Sequence, residues 1–177
     1  MAANAETSEL RNGRPRRGAA NPRVGNSQEA RMIDVAARMF QERGYDATRL
    51  QDIADEVGLL KGSLYHYIDS KDDLLWAIIL RQHESALALA DRCRQMDAAT
   101  DVRLAEFIRG YTDSLENDHI YVSVYLRDLN RLSPERREKI IRERLAYSDF
   151  LVELLTEGKR KGTFRKDLDP GLTSQAS

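Results

Sequence analysis

Apolar residues recur at intervals of three and four along most of the chain, the period of helices that bury one face. Between Ser27 and Arg43, the residues Ala30, Ile33, Ala37 and Phe40 form such a stripe. Asn26 with Glu29 three places on resembles a capping box, and Gly44 suits a left-handed stop that would fold Tyr45 back onto Phe40. Leu50, Ile53, Ala54 and Val57 predict a second, short helix that Gly58 breaks. A third is predicted over about Leu60 to Tyr67, with Leu64 and Ile68 facing inward. Ser70 and Asp73 form a further box-like cap for a much longer helix reaching about Met96, with Lys71 exposed at its start and Leu74, Leu75, Ile78, Ile79 and Leu87 along it.

Three more helices follow. Thr100 is placed to cap one carrying Leu104, Phe107, Ile108, Tyr111 and Leu115. Asp118 opens one with Tyr121, Val124, Tyr125 and Leu129. Ser133-Pro134, a cap followed by proline at the first helical position, starts the last, which runs through Ile140, Ile141, Leu145, Leu151, Val152 and Leu155 to a stop near Gly162. No stretch alternates as a strand does, so the class is all-α.

Composition narrows the field. A hydrophobic content of 41% is enough for a real core, while a net charge of −1 requires any nucleic-acid surface to be local. Cys93 is the single cysteine, which excludes a disulfide within one chain and fits a reducing cytoplasm. No apolar run is long enough to span a membrane, and the N-terminus lacks the apolar stretch of a signal peptide. Residues 1–25 read as a tail with little to bury, in which Arg11, Arg14, Arg16, Arg17 and Arg23 precede the next acid, Glu29. This is either a disordered solubilising extension or a basic arm that lies along phosphates or in a minor groove.

The three short helices have the spacing of a helix-turn-helix with its supporting helix. A short third helix fits a major groove, Gly62 leaves room for close approach, and Lys61, Ser63, Tyr65 and His66 supply donors for phosphates or base edges. The competing reading is an ordinary bundle with Tyr65 and Tyr67 as rim packing. Catalysis finds no support. His66, His83 and His119 show no metal-ligand spacing, Cys93 has no partner for nucleophilic chemistry, and there is no Gly-rich phosphate loop. No cofactor is expected. Cys93 is a small buried hydrophobe or, in a rival reading, a redox sensor bridging two chains.

Residues 31–75, RMIDVAARMFQERGYDATRLQDIADEVGLLKGSLYHYIDSKDDLL, resemble the DNA-binding head of the tetracycline-repressor (TetR) family of bacterial transcriptional regulators. The marks are Ala36, Phe40, Gly44-Tyr45, Thr48, Asp52-Ile53-Ala54, Gly58, Gly62, Leu64-Tyr65 and Ser70-Lys71. The later segment from Val124 to Pro170 is similar to the body of a subgroup that includes the mycobacterial steroid-ring-catabolism repressor. The resemblance implies a basic arm over 1–25, a head over 26–70 and a ligand-binding and dimerisation body over 71–177. It implies phosphate contacts from Thr48 and Lys71, backbone contacts from Tyr65 and His66, and a recognition helix that begins with Lys61, Gly62 and Ser63. Arg49 and Leu60 depart from it, each standing where the family commonly has Ser or Thr. Thr48 is then left to cap the second helix with Arg49 free for phosphate, and the recognition helix loses its usual cap.

The implied partners are double-stranded operator DNA, a small hydrophobic effector such as an acyl-CoA thioester, and a second copy of the chain. The implied mechanism is repression released when the effector shifts the long helix. Phe107, Tyr111, Tyr121, Tyr125 and Phe150, aromatics on inward faces, are the pocket candidates, each equally readable as core. Arg127, with Arg131, Arg136, Arg137, Lys139 and Arg142, would meet a CoA phosphate, unless the interleaved Glu135, Glu138 and Glu143 make a salt-bridged solvated face. Relatives of this kind usually continue past the Asp167–Pro170 segment with two long helices that form the dimer interface. The expectation here is therefore weakened dimerisation, with a rival reading as a helical interaction protein that pairs with a complete relative.

Overall fold

The computed structural model describes residues 27–170, and the basic arm and the last seven residues lie outside them. Among the described residues the secondary structure is entirely helical: α1 (Ser27–Arg43), α2 (Leu50–Val57), α3 (Lys61–Leu64), α4 (Lys71–Gln95), α5 (Thr100–Asn117), α6 (His119–Asp128) and α7 (Pro134–Lys161), with a 3-10 turn at Leu129–Arg131. None is long and apolar enough to cross a membrane.

The helix ends follow local chemistry. Gly44, Gly58 and Gly162 take positive φ after α1, α2 and α7, where a side chain would be strained. Tyr45 does fold back onto Phe40, edge to face with ring centres 5.1 Å apart. Ser70 caps α4: its Oγ accepts from the Asp73 amide at 3.2 Å, and its own amide donates to the Asp73 carboxylate at 2.8 Å.

Three expectations are corrected. α3 is a single turn of four residues followed by a turn through Tyr67, because Gly62 is a poor helix former and Leu60 offers no capping side chain. In the α1 stripe Ala37 and Phe40 are buried and Ile33 is partly buried against the core, as expected, but Ala30 is exposed and Met32, Val35, Ala36 and Met39 are buried beside them. Thr100 is the first residue of α5 rather than its cap; its buried hydroxyl makes no hydrogen bond, and Ala99 occupies the cap position.

One apolar cluster joins head to body. Phe40, Ile53, Leu64, Leu74 and Ile78 pack with Tyr121, Val124, Leu132 and Ile140 from α6, the loop after it and α7. A second cluster lies toward the far end of α4, where Leu89, Ala90 and Cys93 meet Phe107 and Phe150, the two rings 5.4 Å apart. α4 threads both, and at 25 residues it is roughly 37 Å long.

Ion pairs fasten the same junction. Arg136 of α7 reaches the carboxylates of Asp72 and Asp73 at the start of α4, and the Ser133 amide donates to Asp72 at 3.1 Å. Burial pushes the Asp73 carboxyl up, but hydrogen bonds from Arg136 and Ser70 outweigh it and hold the group below the usual range. A depressed carboxylate stabilises the fold above its unfolded pKa and loses that contribution as pH falls through the folded value. Thermal unfolding of Asp73→Asn should therefore show a lower Tm than wild type at pH 7, with the gap closing as pH drops below about 4. A gap constant from pH 7 to pH 2 would refute the assignment.

Candidate nucleic-acid surface and effector cavity

The head presents the turn around α3 to solvent. Gly62 and His66 are exposed, Tyr65 is 46% exposed and Ser63 is half-buried, while Leu64 beneath them is fully buried. Lys61 is the first residue of the helix. A Cβ built on Gly62 would meet nothing within 4 Å, so the packing of the chain itself does not require glycine there. Leu60 is 82% exposed, a large apolar side chain beside those donors. Arg49, at the cap position of α2, is exposed; its amide donates to Asp52 at 3.3 Å, which leaves the guanidinium outside the cap.

Two expected contact residues are engaged internally. Thr48 is buried, its one hydroxyl proton shared between the carbonyls of Gly44 at 2.9 Å and Met39 at 3.2 Å. Lys71, expected to stand exposed, is half-buried instead. Its ammonium donates to the carbonyls of Tyr45 at 2.7 Å and Thr48 at 3.0 Å and lies 4.2 Å from the centre of the Tyr45 ring. The loop between α1 and α2 has several carbonyls and few backbone partners, and this cation satisfies two of them.

In the body, a cavity of about 90 Å³ lies between the two apolar clusters. α4 contributes Gln82, His83, Ala86 and Leu87; Tyr111 comes from α5. Val122, Tyr125 and Leu126 of α6 and Arg144 of α7 complete it. Of the candidate aromatics, Tyr111 and Tyr125 line this space. Phe107 and Phe150 pack on each other in the second cluster. Tyr121 is turned away: its hydroxyl donates to Asp34 of α1 and accepts from Arg81 at 2.9 Å. Burial first, then that bond, raises its pKa well above the ordinary tyrosine value.

Arg127 is also placed elsewhere. It donates to the carbonyls of Phe40 and Gln41 (3.2 Å) at the end of α1 and to the buried Asp128 carboxylate at 2.8 Å. Arg131 pairs with Asp46, and Arg142 lies 3.8 Å from Glu138. The Arg142–Glu138 pair matches the salt-bridged face. A wider polar groove of about 470 Å³ runs along Gln41–Ala47 and Arg127, but it is shallow, and two of its cations are engaged, Arg127 with the α1 end and Arg131 with Asp46.

His83 was not singled out as a pocket residue. It is 3% exposed and four residues beyond Ile79, on the buried side of α4, so a polar residue in the apolar register was the available signal. Burial pushes its pKa down against the upward pull of Glu143, whose carboxylate is 3.3 Å from Nε2. Cys93 is buried in the second cluster and burial raises its pKa, so the thiolate needed for redox sensing is disfavoured.

Residues 32–78 match the bacterial regulatory proteins of the tetR family, and residues 97–177 match the tetracyclin repressor-like C-terminal domain. The transcriptional repressor KstR2 of Mycobacterium tuberculosis is 32% identical over 83% of this chain and 74% of its own length. Its solved structure, described as a ketosteroid transcriptional regulator, superposes with a TM-score of 0.80 at 31% identity, covering 86% of this chain and 78% of that one. The fatty acid metabolism regulator protein of Bacillus subtilis is 27% identical over 81% of this chain and 74% of its own. AibR, solved in complex with isovaleryl coenzyme A and operator DNA, gives a TM-score of 0.73 at 27% identity over 85% and 81% of the two chains. With both halves matched and relatives that are regulators rather than enzymes, the chain belongs to the TetR family of helix-turn-helix transcriptional regulators.

Proposed function

We propose that this chain is a repressor that leaves its operator when a small hydrophobic effector of the acyl-CoA thioester class enters the cavity between α4, α5, α6 and α7. The observation that carries this reading is the placement of that cavity. Its α6 wall, Val122 and Tyr125, lies on the same helix as Arg127, which holds the C-terminal end of α1 in the head and is itself paired with Asp128. An effector that displaces the wall moves the clamp, and so biases the position of the head that DNA also biases. The complex of AibR with isovaleryl coenzyme A and operator DNA supports the effector class.

On DNA, two copies supply two half-sites about 34–36 Å apart. Arg49, Lys61, Ser63, Tyr65 and His66 make the phosphate and base-edge contacts, Gly62 admits the backbone, and Thr48 and Lys71 act by holding the loop that carries Arg49. Domain roles follow: residues 26–70 read DNA, and 71–177 bind the effector and the second copy.

Binding of labelled DNA from immediately upstream of the chain's own gene should be sequence-selective, weaken steeply with salt, and weaken again on adding an acyl-CoA. Selectivity no better than for scrambled DNA would reject the repressor reading. Arg49→Ala should reduce the slope of log K against log salt by about 0.9 for each head, the signature of one lost phosphate contact. Lys71→Met should cost roughly 1.5–3 kcal/mol of stability through its lost charged hydrogen bonds and leave that slope unchanged. A slope change in Lys71→Met equal to that of Arg49→Ala would make Lys71 a direct phosphate contact.

The clamp has its own test. Arg127→Gln should retain DNA binding while the effector-induced loss of affinity, expected at about 5–150-fold in the wild type, shrinks toward one. An undiminished response would show that the signal does not pass through α6 and the end of α1.

A further inference from the structure

We propose that Leu60, the residue leading into α3, reads the methyl group of one thymine in each half-site of the operator. This rests on the reading of the chain as a DNA-binding repressor and adds to it a residue that chooses sequence rather than one that holds phosphate.

Leu60 fills neither structural role open to it. It occupies the cap position of α3, where Ser, Thr, Asp or Asn would accept from an amide of the first turn, and its side chain accepts nothing. Nor does it pack. It is 82% exposed, more than any other large apolar side chain among the described residues, while its neighbour Leu59 is half-buried against the first apolar cluster. Its backbone, by contrast, is held. It is extended at φ −65° and ψ 142°, and its carbonyl accepts from the amides of Ser63 at 2.8 Å and Leu64 at 3.2 Å. Because Leu64 is fully buried, that turn ties Leu60 to the core of the head. An apolar side chain therefore reaches into solvent from a fixed point.

Its surroundings are the surface that meets DNA. Gly62, Tyr65 and His66 are exposed within the next six residues, and a recognition helix meets base edges with its first residues. α3 has only four, so the residue at its entry stands as close to the bases as those within it. The polar side chains there suit phosphates and the hydrogen-bonding edges of bases. Leucine has no donor or acceptor and suits neither. The C5-methyl of thymine is the one apolar group that a base pair shows in the major groove, and contact with it takes apolar surface of both partners out of water. A lone exposed leucine is ordinary on most of a protein surface. This one stands where a polar residue would stabilise the helix, and on the face that reads sequence.

A duplex selected from a random pool by the full chain is the probe. Each thymine is replaced singly by deoxyuridine, which removes the methyl group and keeps the pairing. One such replacement in a half-site should lower wild-type affinity about four- to tenfold, the worth of one or two buried methylene equivalents. Leu60→Ala should bind the thymine and deoxyuridine duplexes equally at that position. Its slope of log K against log salt should match the wild type, because an apolar contact releases no counterions. Leu60→Ser should lose the same discrimination while its Tm rises by about 2–4 °C, since a cap is gained and no packing is lost. Absence of any methyl-sensitive thymine in the wild type, or a sensitivity that Leu60→Ala keeps in full, would overturn the proposal and leave the repressor reading intact. A Tm that falls in Leu60→Ser would also overturn it, by showing that the side chain supports the head. Recovery of no preferred sequence from the pool would overturn both.

Discussion

The carbonyls at the end of α1 and in the loop after it, which backbone N–H groups satisfy only in part, are the constraint around which this molecule is built. A helix leaves its last carbonyls without partners of its own, and the short loop before α2 adds more. Water could satisfy them on a free head. Here Thr48 takes two, Lys71 of α4 takes two and Arg127 of α6 takes two. Each of the two cations sits at the negative end of the α1 dipole or over the ring of Tyr45, where a positive charge is favoured. The head therefore depends on the body for the hydrogen bonds that shape its own loop.

That dependence separates what was legible in the sequence from what was not. Helix limits set by neighbouring residues were legible: Ser27–Arg43, Leu50–Val57 and the proline-started helix to Gly162 follow from caps, glycines and a 3.6-residue period. Partners distant in the chain were not. Nothing local distinguishes Tyr121, bonded to an aspartate 87 residues away, from Tyr125, which lines the cavity one turn later. Lys71 looks like an exposed first-turn lysine until the loop 23 residues earlier folds over it. In α1, Ala37 and Phe40 were legible as buried, whereas Met32 and Val35, on the adjacent face, are buried by neighbours that no local pattern names.

The continuous core restricts how such a molecule can switch. Phe40, Ile78, Val124 and Ile140 belong to one cluster, so the head cannot swing freely on a hinge at Ser70; any displacement must repack α4 against α6 and α7. Packed interfaces of this kind have a few discrete arrangements rather than a continuum. A small effector suits that situation, because little volume is needed to tip a choice between two packings.

The cavity lies where tipping is easiest. α4 is held tightly at both ends, by the head cluster and the Asp72–Asp73–Arg136 pairs at one and by Leu89, Cys93 and Phe150 at the other. Between them, near His83 and Leu87, packing is incomplete, and the buried imidazole faces the Glu143 carboxylate 3.3 Å away. α6, only ten residues long, forms the opposite wall and carries Arg127 and Asp128 at its end. In the proposed mechanism, filling the gap would press a long helix anchored at both ends against a short one, and the short one would yield. Because the part that would yield carries the clamp on α1, a disturbance of one side chain's width would reach the DNA-facing helices without the core of either half being broken.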